Sequence, residues 1–233
     1  MQLNILKHQP KGLGQKHLVN FLKYKKYFRK TSLKQIDIGE QFLNEIASKK
    51  PKSFLEIGVF HGVTARNVCE LLYNIHKDDF KYIGLDLFGE SSESKNEIIP
   101  NTKFNNPLKI IYFKYILKKD PYSIEAVASL LKKFEKNIHL IKGNSNDLLK
   151  KIDMSKIDYV FLDGGHAYET VKNDLNYSRA VLENNGTILC DDYNLSYAPG
   201  VKKAIDEFVS INKFSIEFLF NHRFAKIEKN KSL

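Results

Sequence analysis

From about Ile36 onward the chain alternates short β-rich runs with stretches of helical periodicity, and this alternation constrains the fold more than any other feature. Ser53–Val59, Tyr82–Phe88, Ile138–Lys142, Tyr159–Leu162 and Thr187–Cys190 are dense in β-branched and aromatic residues and end at glycine, acid or polar turns. Between them, His61–Ile75, Ser123–Lys136, Asn146–Ile152, Ala167–Leu182 and Val201–Ile211 place apolar residues at helical spacing. Strands separated by helices need crossover connections, which make a parallel sheet covered on both faces. Two further runs, Phe214–Phe220 and Arg223–Glu228, are joined only by Asn221-His222 and are predicted to pair as an antiparallel hairpin. The expected fold is therefore α/β: a seven-stranded, mostly parallel, doubly wound sheet that closes on a C-terminal antiparallel hairpin.

Two segments fall outside that rhythm. Residues 1–35 form a basic N-terminal arm ahead of a domain spanning 36–233. Residues 1–30 hold Lys7, Lys11, Lys16, Lys23, Lys25, Lys26, Arg29 and Lys30 and no acid, while the remainder carries 29 bases against 27 acids. The net charge of +10 thus belongs to the arm rather than the body. His17–Lys30 reads as an amphipathic helix with Leu18, Phe21, Leu22 and Phe28 on its apolar side, suited to packing on the body or a second subunit, to a membrane surface, or to solvent. The second segment is the 34-residue insert Gly89–Tyr122, which ends in the basic aromatic block NPLKIIYFKYILKKD. A connection this long reads as a lid over the strand ends, with a floppy excursion or a packing helix as the alternatives.

With 42% hydrophobic and 27% charged residues the chain is globular in composition, and no apolar run nears the roughly 18 residues of a bilayer span. The N-terminus lacks the apolar core of a secretory signal, and Cys69 and Cys190 make no disulfide framework, so a reducing cytoplasm is the expected location.

The chemistry concentrates where strands hand over to loops. Glu56-Ile57-Gly58-Val59-Phe60-His61-Gly62-Val63-Thr64 joins the first strand to the next helix. Gly58 and Gly62 let the backbone turn tightly and approach a ligand, but their G-x-x-x-G spacing differs from the dinucleotide fingerprint and disfavours a NAD-dependent oxidoreductase. Asp86 ends the second strand, where an acid can accept both hydroxyls of a ribose or simply cap a strand end.

With these motifs the chain resembles the class I S-adenosylmethionine-dependent methyltransferases, whose Rossmann-like seven-strand layout it shares from about Ile36 to Glu228. The resemblance implies S-adenosyl-L-methionine as cofactor. Glu56 would lie near its amino group, Gly58, Phe60 and Gly62 along it, and Thr64 at its carboxylate. Asp86 and Leu87 would meet the ribose, and Ser145 and Asn146 the adenine. The residues around Ser145 also read as a helix cap.

Asp163-Gly164-Gly165-His166 ends the fourth strand and Asp191-Asp192 the fifth. Adjacent parallel strands bring these carboxylates to one edge, where their repulsion calls for a divalent cation, and all-oxygen ligands favour Mg²⁺ or Mn²⁺. Two separate aspartates capping helices are the plainer alternative. The segment from Asp158 to Glu169, followed by Asp191-Asp192-Tyr193, resembles the metal-dependent O-methyltransferase branch. It resembles even more closely the macrolide-sugar and aminocoumarin-sugar methyltransferases and the cephalosporin-hydroxylase-like proteins grouped with them. In catechol-type members the base lies three residues after the first metal aspartate, an offset held here by His166. His166 is thus read as the catalytic base beside Asp163, with metal or cofactor contact left open. His61 could face the same pocket, although an exposed loop position is the plainer reading.

The resulting expectation is a Mg-dependent enzyme methylating a hydroxyl of a small molecule, a sugar or sugar nucleotide by preference, and working as a homo-oligomer. Nucleic-acid methylation, suggested by the basic arm, is disfavoured. Asp-Gly-Gly-His stands where base methyltransferases carry Asn/Asp-Pro-Pro-aromatic, and lysines outnumber arginines 33 to 4. A hydroxylase-like cofactor binder without methyl transfer is the remaining alternative.

Overall fold

In the computed structural model, which describes residues 23–89, 101 and 103–230, the alternation resolves into one seven-stranded sheet. Strands β1 (Ser53–Ile57), β2 (Lys81–Asp86), β3 (Ile138–Lys142), β4 (Tyr159–Leu162) and β5 (Thr187–Cys190) are parallel. β6 (Ser215–Leu219) and β7 (Phe224–Glu228) form the hairpin, and β7 runs antiparallel to β5. The order is β3-β2-β1-β4-β5-β7-β6, so the crossovers reverse direction between β1 and β4, where doubly wound sheets open a crevice above their carboxyl ends. The helices are α1 (Ile36–Lys49), α2 (Val63–His76), α3 (Pro107–Ile111), α4 (Ile124–Leu130), α5 (Ser145–Leu148), α6 (Tyr168–Glu183) and α7 (Pro199–Asn212).

Strand alternation divides the core into two layers. Phe54, Tyr82, Tyr159, Phe161 and Phe224 face α1 and α2 with Phe42, Ile46, Val68 and Leu72. Leu55, Ile57, Leu85, Val160, Leu162 and Ile188 face α6 and α7 with Leu175, Leu182 and Ile205. The first layer is aromatic, with Phe54 stacked on Tyr159 at 5.2 Å and Phe42 against Phe161 at 4.6 Å. Cys69 and Cys190 are free and buried.

Several expected boundaries shift for local reasons. β1 stops at Ile57 because Gly58 takes φ +94°, and β2 stops at Asp86, two residues before Phe88 takes φ +46°. The helix expected over Ser123–Lys136 ends at Leu130 and continues as a 3₁₀ turn at Lys132–Phe134, and that over Asn146–Ile152 is α5 followed by a 3₁₀ turn. Much of the insert is structured: α3 passes without a break into a π-helical turn, Tyr112–Leu117.

The arm departs most from expectation. Residues 1–22 lie outside the described residues, but residues 23–30 are not helical, because Tyr27 and Phe28 hold consecutive positive φ angles of 46° and 58°. Nor does the body begin at Ile36. Tyr24, Arg29, Thr31 and Leu33 are already buried in it.

Candidate active site

The site is assembled by hydrogen bonds that carry the strand pairing one residue past the strand ends. Gly58 N donates to Leu85 O at 2.9 Å, Asp163 N to Ile57 O at 2.8 Å, and Asp191 N to Leu162 O at 2.9 Å. The loops after β1, β4 and β5 are thereby fixed side by side at the switch point. Gly58 is required there: a Cβ on it would lie 2.1 Å from the Asp163 carbonyl oxygen.

On the β1–β2 side, Asp86 is clamped. Its Oδ2 accepts from Phe60 N at 2.8 Å, and its Oδ1 accepts from Phe88 N at 2.7 Å and from the Tyr122 hydroxyl at 2.9 Å. Burial raises its pKa while these donors pull it back. Tyr122 ends the insert, so the insert reaches the carboxylate of Asp86. Leu87, next in the chain, is half-buried. At the neighbouring end of β3, where Gly143 N donates to Asp86 O at 2.9 Å, the Asn144 side chain caps α5 by accepting from Asn146 N at 3.0 Å, and Asn146 Oδ1 accepts from Asn173 of α6 at 3.0 Å. The capping reading of this segment therefore holds, with Ser145 and Asn146 half-buried.

Two expected placements are corrected, and a third residue is more enclosed than expected. Glu56 does not line the crevice. It shares the face of Phe54, is fully buried, and accepts from the Tyr82 hydroxyl at 2.6 Å, while its Oε1 has no hydrogen-bond partner. Burial pushes its carboxyl up to about 8, with Tyr82 opposing the shift. Thr64 is buried too, its hydroxyl 3.0 Å from the Tyr24 hydroxyl, which also meets Thr31 at 2.7 Å. It braces the N-terminal segment. His61 is neither exposed nor in the carboxylate pocket. It is sealed among Phe60, Phe104 and Tyr122, and burial, then Arg29, Lys30 and Lys109, lower its pKa to about 3.

The carboxylates do converge. One oxygen from each of Asp163, Asp191 and Asp192 lies within 4.8 Å of the others, in a pocket also lined by Gly164, Gly165 and His166. Burial, then the charges of Asp191 and Asp192, hold Asp163 well above the ordinary carboxylate range, and burial pushes Asp191 up to about 6. His166 Nε2 lies 3.0 Å from Asp192 Oδ2, a dyad in which a carboxylate orients an imidazole.

Two partners of this cluster were not read from the sequence. Arg223, in the β6–β7 turn, forks both oxygens of Asp191 at 2.7 Å each. Burial opposes its charge, but the bonds to Asp191 more than restore it. Ser32 donates to Asp163 Oδ2 at 2.7 Å. The rarity of arginine was a usable signal. Arg29, Arg66 and Arg223, three of only four, each donate two or more hydrogen bonds where a planar fork is needed.

The donor set fits a hard divalent cation, because it is all oxygen, crowded, and short of positive charge even with Arg223 present. The β1–β2 side fits an adenosyl cofactor, with a glycine-turned loop beside a carboxylate held at the end of β2.

The sequence profile of a family described as a methyltransferase domain, Methyltransf_24, matches residues 55–193. An uncharacterised protein of Acanthamoeba polyphaga mimivirus is 30% identical over 153 residues, which cover 62% of this chain and 66% of that protein. The solved O-methyltransferase NovP superposes with a TM-score of 0.61 at 17% identity, covering 83% of this chain and 81% of NovP. CalS11, described as a TDP-rhamnose 3'-O-methyltransferase of calicheamicin biosynthesis, gives 0.55 at 14% identity, over 82% and 78% of the two chains. TomG from Streptomyces achromogenes, an O-methyltransferase solved with S-adenosylmethionine, gives 0.54 at 10% identity, over 84% and 81%.

Proposed function

This chain belongs to the Methyltransf_24 family of methyltransferase domains, and from that premise we propose that it moves a methyl group from S-adenosylmethionine to a hydroxyl oxygen of a sugar or sugar-containing metabolite. The observation that carries the reading is the convergence of Asp163, Asp191 and Asp192 with His166 on Asp192, beside the Gly58 loop. A sugar acceptor is supported by the likeness to CalS11.

S-adenosylmethionine, when bound, supplies the methyl as a sulfonium substituent. Asp86 would take its ribose hydroxyls, with Phe60 and Phe88 backbone N–H groups holding the carboxylate in place. Asp163, Asp191 and Asp192 would hold Mg²⁺ or Mn²⁺, and the cation, when bound, supplies Lewis acidity toward acceptor oxygens. His166, oriented by Asp192, would take the proton that the acceptor hydroxyl loses on methylation. Arg223 keeps Asp191 in a single orientation. The rate then rests on alignment and deprotonation.

Labelled S-adenosylmethionine incubated with the purified chain and panels of sugars, sugar nucleotides and catechols tests this directly. Transfer to a sugar hydroxyl is expected, abolished by EDTA and restored by Mg²⁺ or Mn²⁺, with Asp191→Ala at least about 100-fold slower. Turnover that survives both EDTA and Asp191→Ala would remove the cation from the scheme. Transfer to catechols alone would overturn the acceptor.

A further inference from the structure

We propose that the helical part of the insert, Pro107–Leu117, is a docking element for an anionic lipid surface. This goes beyond methyl transfer and stands whichever acceptor the enzyme uses. The segment is apolar yet almost wholly uncovered. Leu108 is 68% exposed, Ile111 50%, Tyr115 61% and Ile116 67%. Only Phe113 is buried, stacked on Phe104 at 5.1 Å. Phe28 extends the patch from the N-terminal segment, half exposed and 5.8 Å from the Tyr112 ring. Exposed leucines are ordinary singly, but a run of them on one short element marks a surface that another body covers.

The charge identifies that body. Residues 103–119 contain five lysines and no acid. Lys109 lies 5.0 Å over the Phe28 ring and feels the charges of Lys26 and Lys30. Among the described residues no carboxylate forms an ion pair with Lys26, Lys30, Lys109, Lys114, Lys118 or Lys119. A second copy meeting this face across a two-fold axis would set its lysines against themselves. A polyanion such as RNA would satisfy the lysines and leave leucine and isoleucine in water. An anionic bilayer takes both, with apolar side chains below the headgroups and lysine stems reaching up to them.

Co-sedimentation of the full chain with phosphatidylcholine vesicles, with and without phosphatidylglycerol, tests the proposal. Binding is expected to the anionic vesicles only and to weaken with salt. It should fall about tenfold or more in Leu108→Glu/Ile116→Glu, where both positions are exposed and the fold is spared. Retained affinity for S-adenosylhomocysteine in the variant would confirm that the body is intact. Equal vesicle binding by variant and wild type would assign the contact elsewhere in the chain and overturn the proposal. So would absence of binding to either vesicle, or self-association in sedimentation velocity that the same substitutions abolish.

Discussion

Glu56 shows how a residue can be found correctly and placed wrongly. Its position at the end of β1 reads as a ligand contact, but strand alternation puts it in the phase of Phe54, facing α2 rather than the crevice. A carboxyl sealed there keeps its proton, and the consequence for stability has a definite sign. Below about 4.5 the proton is bound in both states and nothing is lost. Between about 4.5 and about 8 the folded chain retains a proton that the unfolded chain releases, so stability falls as pH rises; above about 8 the full cost is present. At about 1.4 kcal/mol per pH unit the loss is on the order of a few kcal/mol. Glu56→Gln keeps the shape and still accepts from Tyr82, so it should match wild type in urea unfolding near pH 4.5 and exceed it at pH 8. Parallel pH profiles for the two proteins would show that the buried carboxyl is not the source of the slope.

At the scale of elements, the loop after β1 illustrates what the sequence could and could not disclose. Gly58, Asp86, Asp163 and Asp191-Asp192 were legible because each sits at the end of a β-rich run, and parallel strands align their ends. Arg223, Ser32 and Tyr122 were not, because they reach the site from a hairpin turn, the N-terminal segment and the insert. They lie 32, 131 and 36 residues from the aspartates they bond. The helical pattern read into residues 23–30 misled for a related reason: two left-handed residues and a buried arginine override helical periodicity where the chain packs on the body. The aligned ends also predict which glycine is indispensable. Gly58→Ala meets both a positive φ and the Asp163 carbonyl, whereas a Cβ on Gly89, at φ +92°, meets nothing within 4 Å. Gly58→Ala should cost about 3 kcal/mol or more and displace Asp163, and Gly89→Ala about 1 kcal/mol. Thermal melts and Mn²⁺ binding by electron paramagnetic resonance would separate them, and equal losses would mean that the β1–β4 contact tolerates a methyl group.

For the molecule as a whole, Arg29 joins parts that the sequence treats as separate. Its guanidinium donates to the His61 carbonyl of the β1 loop at 3.2 Å, to Pro121 at the end of the insert at 3.1 Å, and to Ala126 of α4 at 2.9 Å. It also lies 5.4 Å over Phe113, the one buried side chain of the exposed helical segment. Burial pulls its pKa down to about 10, which still leaves it charged at neutral pH. One of the eight bases of the arm is therefore an internal strut, and the N-terminal segment, the loop after β1 and the insert hold or loosen together. Arg29→Ala leaves three carbonyls without that donor and should cost about 2–4 kcal/mol. The loss should concentrate at the insert, because Pro121 adjoins Tyr122 and Tyr122 bonds Asp86. Faster tryptic cleavage at Lys109, Lys114, Lys118 and Lys119 is expected under native conditions, together with weaker S-adenosylhomocysteine binding. Arg29→Lys, which keeps the charge and loses the fork, should fall between the two. If Arg29→Ala lowered global stability while native cleavage at those lysines kept its wild-type rate, the strut would serve the core alone and the coupling to the insert would be refuted.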